Sequence, residues 1–296
     1  MKKLLAFACA CVAALCAAAE VQQEGLSAYK GKDLRKLDEK GLMTFMEEFR
    51  ALTGDKPEEK SDWGGFEPWW VDQIHSGEAA WVFLEAYPGY AIPDMSAMRV
   101  NVFDKNWKRI CKQSFPTGYR FFLGEVKIEP NKALSQDLLV ATVTCAGPFM
   151  VVDGEKKGPA FEQGWYQKQY YALSGTNVVM VRLEDDKGLI ARNHYAWSAP
   201  PKGPPVPSRT KEEWIKSLQS TNAVDQLATL VWLTGGHLSS REERKPDHNQ
   251  ESVADSRLFE SVRDDPRTER ILQELKKHEN KWIHEYAELG TLKEKD

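Results

Sequence analysis

The chain has 296 residues, 40 lysines and arginines against 44 acidic residues, and a net charge of −4. A mildly acidic surface has no net electrostatic drive toward nucleic acid or anionic lipid, so neither is expected as a partner. With ten tryptophans and 42% hydrophobic residues, the length allows two domains and a sizeable core.

Residues 1–19 read as an export signal. Lys2 and Lys3 are the positive start, Leu4 to Cys16 is an apolar run too short to span a bilayer, and Ala17-Ala18-Ala19 supplies the small residues of a cleavage site. Cleavage between Ala19 and Glu20 leaves 277 residues and takes the charge to −6. The expected location is periplasmic or extracellular. No later apolar stretch is long enough to cross a membrane.

Residues 20–75 form an N-terminal helical segment and a seam. Asp38 can cap a helix running to Leu52, with Gly54 ending it and Leu42, Met46 and Phe49 on one face. The seam, DWGGFEPWWVDQIH, is the most site-like stretch of the chain. If it is extended, Trp69 and Trp70 face opposite ways, and an outward indole beside Asp72 could stack on a sugar. The alternative is that both indoles cover the end of a sheet, since each buries about 150–250 Å².

Between residues 76 and 197 the period changes to two. Met98, Val100 and Val102 alternate with Arg99 and Asn101, DKNW turns into KRICKQSF, and LLVATVTC is apolar enough to be central. LSGTN and DDKG are hairpin connections. About eight hairpin-joined strands mean an antiparallel sandwich or open barrel. The mature chain keeps Cys111 and Cys145, an even count that suggests a disulfide in an oxidising compartment. A flat meander would hold them a strand apart, beyond the roughly 7 Å Cα separation a disulfide tolerates. The bond therefore requires the sheet to fold over or the strand order to break.

Residues 198–208, SAPPKGPPVPS, hold five of the fifteen prolines and read as a semi-rigid linker. Everything from 209 to 296 reads as helical. Thr210 and Glu213 have capping-box spacing, Asn222 can cap AVDQLATLVWLT, and Asp265-Pro266 opens another helix. A weakly packed linker predicts release of a folded C-terminal fragment by cleavage near Lys202 or Arg209.

LQSTNAVDQLATLVWLTG resembles the first helix of a HEAT-type unit, and DDPRTERILQELKKHENKWIHEYAELG resembles a complete pair. That likeness implies docking of a protein partner through the helical module. The whole chain is also similar to exported bacterial proteins to which no chemistry attaches.

No signature for a nucleophile, a zinc protease, a phosphate loop or a dinucleotide is present, and no cofactor or metal is expected. Ser174 falls in a hairpin turn, His237 and His248 in a polar loop, and His278 and His284 on different helix faces. The acidic doublets, Asp185-Asp186 and Asp264-Asp265 among them, point to opposite faces or to caps. The expectation is an exported α+β protein that binds or scaffolds without catalysis. The alternatives are a carbohydrate-binding β domain using exposed tryptophans, or an enzyme with a carboxylate pair drawn from distant strands.

Overall fold

The computed structural model describes residues 26–54, 67–87, 95–119, 121–145, 151–152, 155–156, 166–185, 188–189, 209–234 and 250–291. The Ala19-Glu20 junction, the linker 198–208 and the loop with His237 and His248 lie outside them. The class is α+β: two antiparallel five-stranded sheets with helices on both sides.

The first sheet has the order β1 (Lys32–Asp33), β2 (Glu67–Ser76), β3 (Ala79–Tyr87), β4 (Met95–Asp104), β5 (Arg109–Tyr119). The second runs β12 (Gly188–Leu189), β11 (Asn177–Asp185), β10 (Tyr166–Ser174), β7 (Gln136–Cys145), β6 (Phe121–Asn131). A small hairpin, β8 (Val151–Val152) with β9 (Glu155–Lys156), stands apart. The chain changes sheets between β5 and β6, with one residue between the strands. That crossing makes a sandwich of what would otherwise be one long meander.

The seam is itself a strand. Residues 67–76 pair with β3 along their length, so the β region begins earlier than its alternation suggests. Bulges at both ends of the pairing break the period of two that would have marked it.

The first sheet is buried on both faces. Trp70, Ile74, Val82, Leu84, Val100 and Val102 enter the core shared with the second sheet. Val71, Trp81, Phe83 and Phe103 face a second cluster with Phe45 and Phe49 of α1 (Glu39–Thr53). Asp38 caps α1 by accepting from the Gly41 amide at 2.7 Å, and Gly54 ends it at φ 68°. That left-handed geometry costs glycine little and other residues much. Phe49 lies 4.4 Å from Phe83 and 5.6 Å from Phe103 between ring centres. Burying such a ring stabilises the fold by about 1.5–3 kcal/mol.

The C-terminal helices are α2 (Lys211–Leu218), α3 (Ala223–Thr234), α4 (Gln250–Arg263), α5 (Pro266–Leu275) and α6 (Lys281–Gly290). The Thr210–Glu213 capping box and the Asn222 and Asp265 caps all form. These helices do not close on a core of their own. α3 packs on both α6 and β11, and one apolar cluster runs from the first sheet through the second into Leu227, Leu230, Ile283 and Tyr286. A helix apolar nearly all round needs partners on more than one side, and the second sheet supplies one.

Candidate functional site

The two tryptophans of the seam both pack against the inter-sheet core but differ in burial. Trp70 is core, 5% exposed. Trp69 is the extra residue of the bulge between Pro68 and Trp70, and it is half-buried. Arg35 lies with its guanidinium 3.5 Å from the Trp69 ring centre, itself gripped by both carboxylate oxygens of Asp33 at 2.8 and 2.7 Å. One face of that indole therefore carries a protein cation already.

Strand alternation puts Asp72 on the side of Trp70 and Ile74, beside Gly31, where a Cβ would stand 3.6 Å from Asp72 Oδ2. Burial pushes the Asp72 carboxyl above its ordinary value, outweighing the Gln73 amide bond and nearby Lys30. The composite of an outward indole with an acid beside it is not assembled from Trp70 and Asp72, because Trp70 is enclosed between the sheets.

The cysteines stay apart. Cys111 is a buried free thiol whose ionisation burial opposes, against the favourable Val178 amide. Val178 pairs with Leu173, and Tyr171 pairs with Leu139 of β7. Cys111 thus sits level with Asp137, at the far end of β7 from Cys145. Eight residues of strand separate those levels by about 26 Å, so the disulfide does not form even though the sheet does fold over.

Ser174 donates its hydroxyl to Asp225 Oδ1 at 2.5 Å and so ties the β10–β11 turn to the first turn of α3. His278 and His284 serve the α5–α6 connection: Asn280 N donates to His278 Nδ1 at 2.9 Å, and His284 Nδ1 bonds Lys276 O. Asp265 is the α5 cap.

Two constellations were hidden from the sequence reading. The first is at one end of the sandwich, where the β2–β3, β4–β5, β6–β7 and β10–β11 turns converge. Ser76 bonds Gln136, Leu173 N donates to the same amide oxygen at 3.3 Å, and Val178 N donates to Gln113 at 3.0 Å. Gly77, Gly175, Trp107 and Ser135 all take positive φ there. Trp107 holds φ 59° because it is stacked on Trp81 at 4.9 Å and because Asp104 Oδ1 accepts from the Asn106 and Lys108 amides. At this end His75 points outward, 85% exposed, with Nδ1 3.0 Å from Asp137 Oδ2. The backbone N–H of His75 donates to the same oxygen at 2.8 Å.

The second constellation joins α6 to the second sheet. Arg182 donates to Glu184 at 2.7 Å and to Glu285 at 2.6 Å, while Tyr170 donates to Glu184. The Tyr286 hydroxyl accepts from the Leu183 amide at 2.9 Å, and Trp282 lies 4.9 Å from the Arg182 guanidinium. Burial and then Glu184 push the Tyr170 hydroxyl well up. Although burial opposes charge on Glu184, the Tyr170 and Arg182 bonds hold its carboxyl below the ordinary value. That poise keeps the tyrosine neutral and the glutamate ionised. It suits a fastener, since a nucleophilic tyrosine requires the opposite shift.

No protein-family model, curated protein or solved structure matches this chain.

Proposed function

We propose that this is an exported, non-catalytic binding or scaffolding protein, acting in the periplasm or at the cell exterior through the end of the sandwich where its hairpin turns meet. The observation that carries this reading is the convergence of four tight turns on one rigid end. Glu78, Lys105, Lys108, Lys132, Thr176 and His75 are all exposed there. Turns at the end of two packed sheets have fixed positions, and loops on a rigid scaffold are where binding residues concentrate. The HEAT-like resemblance of residues 210–290 implied docking through the helices. Their buried apolar side chains, however, are committed to one another and to β11, which moves the proposed contact surface to the turns.

A photo-crosslinking residue in place of Lys132 or Thr176 should give a discrete adduct in the native envelope, where one in place of exposed Met43 on α1 (58%) gives none. Equal labelling from the turns and from α1, or none from the turns, would sink the assignment. Turnover of ester, phosphate or glycoside substrates that His75→Ala abolishes would overturn the non-catalytic reading. Export is tested separately: the envelope form should begin at Glu20.

A further inference from the structure

We propose that β6 is a self-association edge, on which a second copy of this chain pairs antiparallel about a two-fold axis at Ile128. Among the described residues β6 is the last strand of its sheet, hydrogen-bonded only to β7. Among those residues its outward side has no partner strand, and such an edge is a template for pairing with another chain.

Two features define the usable stretch. The register slips between Leu123 and Val126, a bulge that disrupts pairing on the N-terminal side. Pro130 lacks an amide hydrogen and limits it on the other. The five residues Val126 to Pro130 remain.

Within that window the sequence VKIEP is self-complementary. A two-fold at Ile128 sets Lys127 opposite Glu129 of the other copy, and Glu129 opposite its Lys127, on the outer face. Within one chain Lys127 Nζ already lies 2.7 Å from Glu129 Oε1, both side chains about 40% exposed. Pairing would close these into a ring of four alternating charges. On the other face Ile128 meets its own counterpart and Val126 meets Pro130. Val126 and Ile128 are only half-buried against the inter-sheet core, so the partner covers apolar surface the sandwich leaves open. Moving the axis to Lys127 or to Glu129 sets like charges directly opposite, which is destabilising. The charges therefore choose the register. Because the contact is isologous, it consumes both edges and stops at two copies. A five-residue edge is small beside a standard interface, which buries about 1,200–2,000 Å², so the dimer is concentration-dependent.

Sedimentation velocity on the purified protein, over a wide concentration range, tests this. The wild type should shift from monomer to dimer as concentration rises. Lys127→Glu and Glu129→Lys should each weaken association by about tenfold or more. An equimolar mixture of the two variants should restore it as a heterodimer. That arm separates the intermolecular pairs from the intrachain one, which stays broken in both variants. Hydrogen exchange at the β6 amides should slow with concentration in the wild type. A wild type that stays monomeric throughout, single variants that associate normally, or a mixture that stays monomeric would each overturn the proposal.

Discussion

Replacing Arg182 with methionine tests the fastener between α6 and the second sheet. Methionine keeps most of the stem volume, so the cavity is small and the change is mainly electrostatic. What it removes is the cation shared by Glu184 and Glu285 at 2.7 and 2.6 Å, in a site where the three side chains are 10, 19 and 24% exposed. Stranding a buried charge costs about 3–5 kcal/mol. Both glutamates keep some contact with water, and Tyr170 still donates to Glu184, so the low end, about 3 kcal/mol, applies. For a chain of this size that is a fall in Tm of about 5–10 °C at neutral pH, read by circular dichroism at 222 nm. The pH dependence has a definite sign. The folded Glu184 carboxyl lies below its ordinary 4.5, so its contribution is present above that value and fades as the pH falls through the folded one. The gap between wild type and variant should therefore be steady near pH 7 and narrow below about pH 4.5. A variant melting within a degree of wild type at pH 7 would refute the reasoning, and so would a gap that widens in acid.

The helical segment 209–296 expressed alone should be largely unfolded or aggregated by circular dichroism and gel filtration, because the β11 side of α3 would face water. Cleavage near Lys202 or Arg209 in the whole protein should leave the two pieces associated, and a monomeric, helical fragment would contradict the shared core. Asp265→Asn keeps an oxygen for the Arg267 amide but loses the charge held by Lys211 at 2.8 Å and by Arg267 at 3.0 Å. The Arg267 and Lys211 bonds hold that carboxyl far below its ordinary 3.8, so the stability it contributes is full at neutral pH and fades only below about pH 4. Urea titrations of wild type and variant at pH 7, 5 and 3 should show equal gaps at the first two and a smaller one at the third. In acrylamide quenching Trp70, Trp81, Trp107 and Trp214 should be shielded, and Trp69→Phe should remove part of the accessible fraction. A glycan-induced fluorescence change lost in that variant would favour the sugar reading.

The elements a few residues specify were legible without coordinates. Asp38, Thr210, Asn222 and Asp265 cap the helices their spacing announced. Gly54 ends one in the left-handed region, and the DKNW and LSGTN turns fall between strands. These signals are short-range torsional and hydrogen-bond preferences that the local chain carries with it.

Which faces met was a different matter. Trp69 and Trp70 could not be told apart, because a bulge between Pro68 and Trp70 offsets the alternation and depends on how β3 pairs. The crossing from β5 to β6 folds the meander in two and still leaves Cys111 and Cys145 at opposite levels, as no spacing rule foresees. His75 and Asp137 are 62 positions apart, and Arg182 and Glu285 are 103 apart. Such partners are chosen by the stacking of whole apolar faces, a long-range outcome in which many weak contacts sum, and no window of residues contains it. Composition and period determined that there would be strands, helices and a core, and only the packing of the sheets and helices decided that one core would run through both sheets into the C-terminal helices while a second holds α1.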